Sequence, residues 1–175
     1  MPTRSGIEGK LARERTALLD RYRQLSGEQL TDPCTESEHD GGAPWSAKDH
    51  LAHLAMIERT FQGIVERTLA GDASPVGIRR PGQPIADVMA TVHRMNEEHV
   101  DANRSSSLDA LLADLETTRG VTLRLLASIA DDDLARPVPG APWADGTIGG
   151  VLITLGYHDQ QHVAWVDEAL GAGSP

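Results

Sequence analysis

Histidine is the residue type in this chain best suited to chemistry, and two of the seven stand four apart, His158 and His162 in "GYHDQQHVAWV". On a helix, positions i and i+4 project from nearly the same face, about one turn apart. Two neutral imidazoles so placed can share one metal ion if another segment supplies a third ligand. The apolar stripe through Ile148, Val151 and Leu155 runs on into both histidines, so their rings are expected to face the interior. The string is HDQQH, without the glutamate of the HExxH metalloprotease motif, which argues against peptide hydrolysis. Asp159 stands beside His158 and reads as a surface acid on the helix flank.

Five other histidines compete to complete the set. His39 lies in an acidic, glycine-flanked loop and reads as solvated. His50 and His53 share one side of "DHLAHLAMIE", and helical phase leaves both open as the third ligand. His93 sits beside Val92 and reads as partly exposed, whereas His99 follows its helix stripe with Asn96 and reads as a pocket residue. Three imidazoles with one open position suit Zn, Ni or Fe and leave a water or a thiol to be activated. No side chain is assigned a catalytic role beyond that. Arg79 and Arg80 are the candidate cofactor-binding pair, placed to meet an anionic substrate or thiol, with two solvated loop arginines as the alternative.

The elements that must position these residues are helical. A first helix is expected from about Gly6 to Ser26, with Ile7, Leu11, Leu18, Tyr22 and Leu25 on one face. "SGEQLTDPCTESEHDGGAP" reads as a long loop. Ser46, three residues before Asp49, forms a near-capping box that opens a second helix, ending near Gly71. A third helix follows from Ile85 through His99. A fourth opens around "SSSLDALL" and runs to Ile129, with Gly120 as a weak point inside it. The last helix runs from near Thr147 to about Leu170. Strand alternation is nearly absent, so the chain reads as all-α, a four-helix bundle with an additional helix and long inter-helix loops. Trp45, Trp143 and Trp165 are expected to pack near helix ends.

Bulk properties narrow the functional classes. A chain of 175 residues reads as one domain spanning 1–175. A net charge of −10 gives no basic footprint for nucleic acid and no electrostatic reason to bind a membrane. Cys34 is the only cysteine, which excludes an intrachain disulfide and a thiolate metal cluster. The polar start "MPTRSGIEGKLARERTALLD" and the lack of any long apolar run suggest a soluble, cytoplasmic protein.

Three segments carry a family resemblance: "PWSAKDHLAHLAMIE", "LLADLETTRGVTLRLLASIADDDL" and "DGTIGGVLITLGYHDQQHVAWV". In order and spacing they resemble the DinB-like superfamily of four-helix bundles, which also contains the N-terminal domain of mycothiol-dependent maleylpyruvate isomerases. The resemblance spans nearly the whole chain. It implies metal ligands at His53, His158 and His162, and so favours His53 over His50. Similar proteins include S-transferases and isomerases that use mycothiol, bacillithiol or glutathione, and some hydrolases. The sequence ends after one bundle, without the further C-terminal domain of those isomerases, so their activity is not expected to transfer directly. The expectation is a metal-dependent enzyme acting on a small molecule, by thiol-dependent S-transfer or isomerisation or by hydrolysis. The alternative is a non-catalytic small-molecule-binding or self-resistance protein. A homodimer is also expected from the resemblance and from the prevalence of two-fold assemblies.

Overall fold

The computed structural model describes residues 2–37, 41–77 and 83–172. Helix α1 (Arg4–Arg23) opens where the Thr3 hydroxyl accepts the backbone N–H of Gly6 at 3.2 Å. It buries Ile7, Leu11, Leu18 and Tyr22 along one face. A short helix α2 (Gly27–Thr31) follows, opened by a reciprocal capping box: Ser26 accepts from the Gln29 backbone at 3.2 Å, and Gln29 accepts from the Ser26 backbone at 3.0 Å. Strands β1 (Pro33–Thr35) and β2 (Trp45–Ser46) then pair antiparallel, Pro33 opposite Ser46. Four more helices complete the chain: α3 (Ala47–Leu69), α4 (Ile85–Asn103), α5 (Leu108–Ser128) and α6 (Ile148–Ala172), with a 3-10 turn over Asp131–Ala135.

The long loop expected after α1 is therefore corrected to a helix and a two-stranded ladder. Elements of five, three and two residues are too short to show a hydrophobic period, which is why they read as loop. Gly120 does not interrupt α5; a Cβ there would meet only Arg124, at 3.4 Å.

Helices α1, α3, α5 and α6 form the bundle, α1 packing on α6 and α3 on both α5 and α6. The additional helix, α4, lies against α3. Gly156 lets α1 and α6 pack closely: a Cβ at that position would stand 2.8 Å from Lys10 Cγ and 3.4 Å from its carbonyl carbon. No helix among the described residues is long and apolar enough to cross a membrane.

The core is split. One apolar cluster gathers Leu18, Tyr22, Leu51, Leu54, Leu115 and Val166. The other gathers Ile7, Leu11, Phe61, Ile64, Leu126 and Leu152. Between them each bundle helix contributes one buried charge: Arg15 from α1, Glu58 from α3, Arg119 from α5 and Asp159 from α6. Glu58 accepts from Arg15 at 2.7 Å, from Arg119 at 2.7 Å and from the Thr122 hydroxyl at 2.5 Å. Asp159 accepts from Arg15 Nε at 2.9 Å and from Arg119 Nη2 at 3.0 Å. The arginines also tie the helices reciprocally, Arg15 donating to the Leu115 carbonyl of α5 and Arg119 to the Leu11 carbonyl of α1. Two acids and two bases so arranged satisfy one another, which a buried charge requires.

Candidate metal centre

The start of α3 is fixed by its cap. Asp49 accepts from the backbone N–H of Ser46 at 2.8 Å and from its hydroxyl at 2.9 Å, and Arg104 pairs with the same carboxylate at 3.0 Å. One turn later His53 projects into the bundle, facing α6. There His158 and His162 stack one turn apart, and His162 is fully buried. The Nε2 atoms of His158 and His162 lie 2.9 Å apart, and those of His53 and His158 lie 3.4 Å apart. One nitrogen from each of the three rings falls within 4.8 Å of the others. Tetrahedral zinc with bonds of about 2.0–2.1 Å sets its ligand nitrogens roughly 3.4 Å apart, so the set is close to what an ion of that size draws together.

Burial keeps these rings neutral, the form that binds metal. Desolvation lowers the pKa of His158 to about 4, and Asp159 and Glu58 only partly oppose it. His53 and His162 are pushed well below the usual imidazole value, by burial first and by neighbouring histidines second.

His50 is brought to the site, but behind His162. Its Nδ1 meets His162 Nδ1 at 2.7 Å, and its Nε2 meets Thr35 Oγ1 at 2.9 Å. If Nε2 of His162 faces an ion, its Nδ1 carries the hydrogen and donates to His50 Nδ1. The Nε2–H of His50 then donates to Thr35. Burial also lowers the pKa of His50 to about 4. Trp45 packs over this pair of α3 histidines, its ring centroid 5.4 Å from His50 and 5.2 Å from His53, and its indole N–H donates to Glu97 of α4 at 3.0 Å.

The DinB superfamily matches residues 10–166, from within α1 to the last third of α6. The chain belongs to the DinB superfamily. The crystal structure of an uncharacterised protein from Escherichia coli UTI89 has a similar fold, with a TM-score of 0.66 at 16% identity, over 98% of this chain and 95% of that one. No curated protein matches the chain in sequence.

In this DinB-superfamily bundle, the other residues singled out from the sequence take varied places. Asp159 is corrected from a surface acid to a buried one, 1% exposed, held by Arg15 and Arg119. The reason is that α6 is packed against α1 as well as α3, so the position beside His158 also faces protein. The signal was present in the partners: Arg15 falls on the stripe Ile7, Leu11, Leu18, Tyr22, and Glu58 lies between Leu54 and Phe61. His99 is half-buried on α4, close enough to His53 to act on it electrostatically, and its carbonyl accepts from Asn103 at 2.8 Å. His93 is half-buried. His39, Arg79 and Arg80 lie outside the described residues. Trp143 packs on Phe61, ring centroids 4.5 Å apart.

A cleft of about 580 Å³ opens beside the site, between the β1–β2 ladder and the C-terminal half of α6. Thr35, Glu36, Trp45, His50, Trp165 and Glu168 line it. The rings of Trp165 and His162 meet with centroids 4.8 Å apart. The histidine triad is thus one side chain away from the cleft, behind His50 and the two tryptophans.

Proposed function

We propose that this DinB-superfamily protein is a metal-dependent enzyme acting on a small molecule, with His53, His158 and His162 as ligands. The observation that carries the reading is the convergence of three neutral imidazoles, buried His53 from α3 with half-buried His158 and buried His162 from α6, their nitrogens within 4.8 Å of one another. Zn, Ni or Fe suits an all-imidazole set, and such an ion supplies Lewis acidity that lowers the pKa of a coordinated water or thiol. His50 orients His162 through the Nδ1 contact, and Trp45 covers His53 and His50 on the side of the β-ladder. The two reaction classes are thiol-dependent S-transfer or isomerisation, with mycothiol, bacillithiol or glutathione, and hydrolysis.

A second reading is small-molecule binding without turnover, as in self-resistance. It is favoured by the cleft, which meets His50 rather than a triad ligand and offers tryptophan surface for contact. The test is metal analysis of the protein as isolated, followed by turnover assays with each thiol against a panel of electrophiles, and with esters and amides. Near-stoichiometric metal with turnover that disappears on replacing His158 supports the enzyme. Metal with no turnover in any assay supports the binding protein, and absence of metal uptake overturns both roles for the triad.

A further inference from the structure

We infer that the cleft beside His50 takes a cationic ligand with an apolar or aromatic body, an organic ammonium, in preference to a carboxylate or an anionic thiol. The inference names the substrate class of the proposed enzyme and rests on that reading only in treating the ligand as a substrate. Tryptophans form two of the cleft's walls. Trp45 is buried against the histidines, whereas Trp165 remains 39% exposed at the opposite side, an unusual state for so large an apolar ring. A volume of about 580 Å³ suits a molecule of one ring and a short chain.

The ionisable side chains at the mouth are Glu36 and Glu168, both exposed, and no lysine or arginine lines the cleft among the described residues. Neither glutamate enters an ion pair among the described residues. Nearby cations are already committed: Arg21 pairs with Asp167 at 2.6 Å, and Arg104 with Asp49 and Glu97. The hydrogen-bonding capacity of His50 on the floor is taken up by Thr35 and His162. An anion entering here would meet two carboxylates and no positive side chain. An ammonium would meet two carboxylates and an indole face, each of which attracts it. The net charge of −10 attracts cations toward the whole molecule as well.

The experiment compares three probes of one shape: 2-phenylethylammonium, 2-phenylethanol and phenylacetate. Each is titrated into the full chain by tryptophan fluorescence and by calorimetry, once with zinc added and once after chelation. The expected result is binding of the ammonium at least about tenfold tighter than the alcohol, with phenylacetate weaker still. That preference should shrink as salt rises from about 50 mM to about 500 mM. It should also fall severalfold in the Glu36→Gln, Glu168→Gln double variant, leaving only the smaller share due to the indole face and the overall charge, whereas Trp165→Ala weakens all three probes. Equal or tighter binding of the alcohol or the carboxylate overturns the inference, as does no saturable binding of any probe, or a charge preference that is undiminished in the double variant. Zinc content of the same samples is measured separately. Loss of the metal reading therefore shows as no zinc uptake, and loss of this inference as no cation preference in chelated protein.

Discussion

His50 Nδ1 stands 2.7 Å from His162 Nδ1, on the opposite edge of the His162 ring from the nitrogen that faces His158. A histidine of the triad is thereby held by a second histidine, which is itself held by Thr35 at 2.9 Å. Partners of this kind fix the tautomer and orientation of a metal-binding ring. Replacing His50 with Ala should weaken zinc affinity about 10–100-fold while leaving the ligands in place. His50→Gln, which keeps a hydrogen-bonding group there, should recover part of the loss. Competition titration with a chromophoric chelator measures both, and unchanged affinity in His50→Ala would remove this role.

The triad makes a stronger demand. His53→Ala, His158→Ala and His162→Ala should each abolish stoichiometric uptake of a divalent ion. With free metal at about a hundred times Kd, the wild-type chain should gain about 2.7 kcal/mol. For a domain of this size that corresponds to roughly 5–10 °C in Tm. Thermal melts with and without added zinc check it, and a shift retained in any of the three variants would exclude that residue as a ligand.

The charged layer answers to a different test. Arg119→Met leaves Glu58 without two of its donor contacts and Asp159 without one, all buried. Breaking a buried ion network from one side costs about 3–5 kcal/mol. Exchanging all four charged residues for apolar ones of similar volume should cost far less, or stabilise. Urea denaturation midpoints of the two variants decide the matter, and equal losses would contradict it.

Acid should unfold the metal-free protein through its histidines. Burial lowers the folded-state pKa of His50 and His158 to about 4, and that of His53 and His162 also well below the ordinary value. Their unfolded values are near 6.5, so below that pH the unfolded chain binds more protons and gains on the folded one. Stability is therefore full above about pH 6.5 and falls as pH drops toward 4, at up to about 1.4 kcal/mol per pH unit for each histidine. Glu58 continues the decline at lower pH. Burial pushes its carboxyl up, but Arg119, Arg15 and Thr122 outweigh that and hold it below the ordinary range. Urea titrations between pH 7.5 and 4 check the slope, and a flat profile would mean that the rings titrate normally.

Much of this was legible in the sequence because long helices repeat their pattern. The stripes through Leu11 and Leu18, through Leu54 and Phe61, and through Val151 and Leu155 placed α1, α3 and α6 and turned His158 and His162 inward. Asp49 announced the start of α3 through its spacing from Ser46. What was not legible depended on contacts between segments distant in sequence. His50 and His53 lie on one face of α3, and phase alone could not say which meets α6 directly and which supports a ligand. Asp159 looked like a flank residue because its arginine partners lie 144 and 40 residues away. The hairpin, which brings Thr35 and Trp45 to the histidines, has strands of three and two residues and leaves no periodic trace.

The layer of Arg15, Glu58, Arg119 and Asp159 also works as a vertical index. Apolar helices can slide past one another by a turn, about 5.4 Å, and still bury oil against oil. Here such a slip would carry each charge out of its counterpart's reach and into one of the two apolar clusters. Glu58 lies just over one turn after His53, and Asp159 lies directly after His158. The interlock that sets the height of α3 against α6 therefore also sets the height of His53 against His158 and His162.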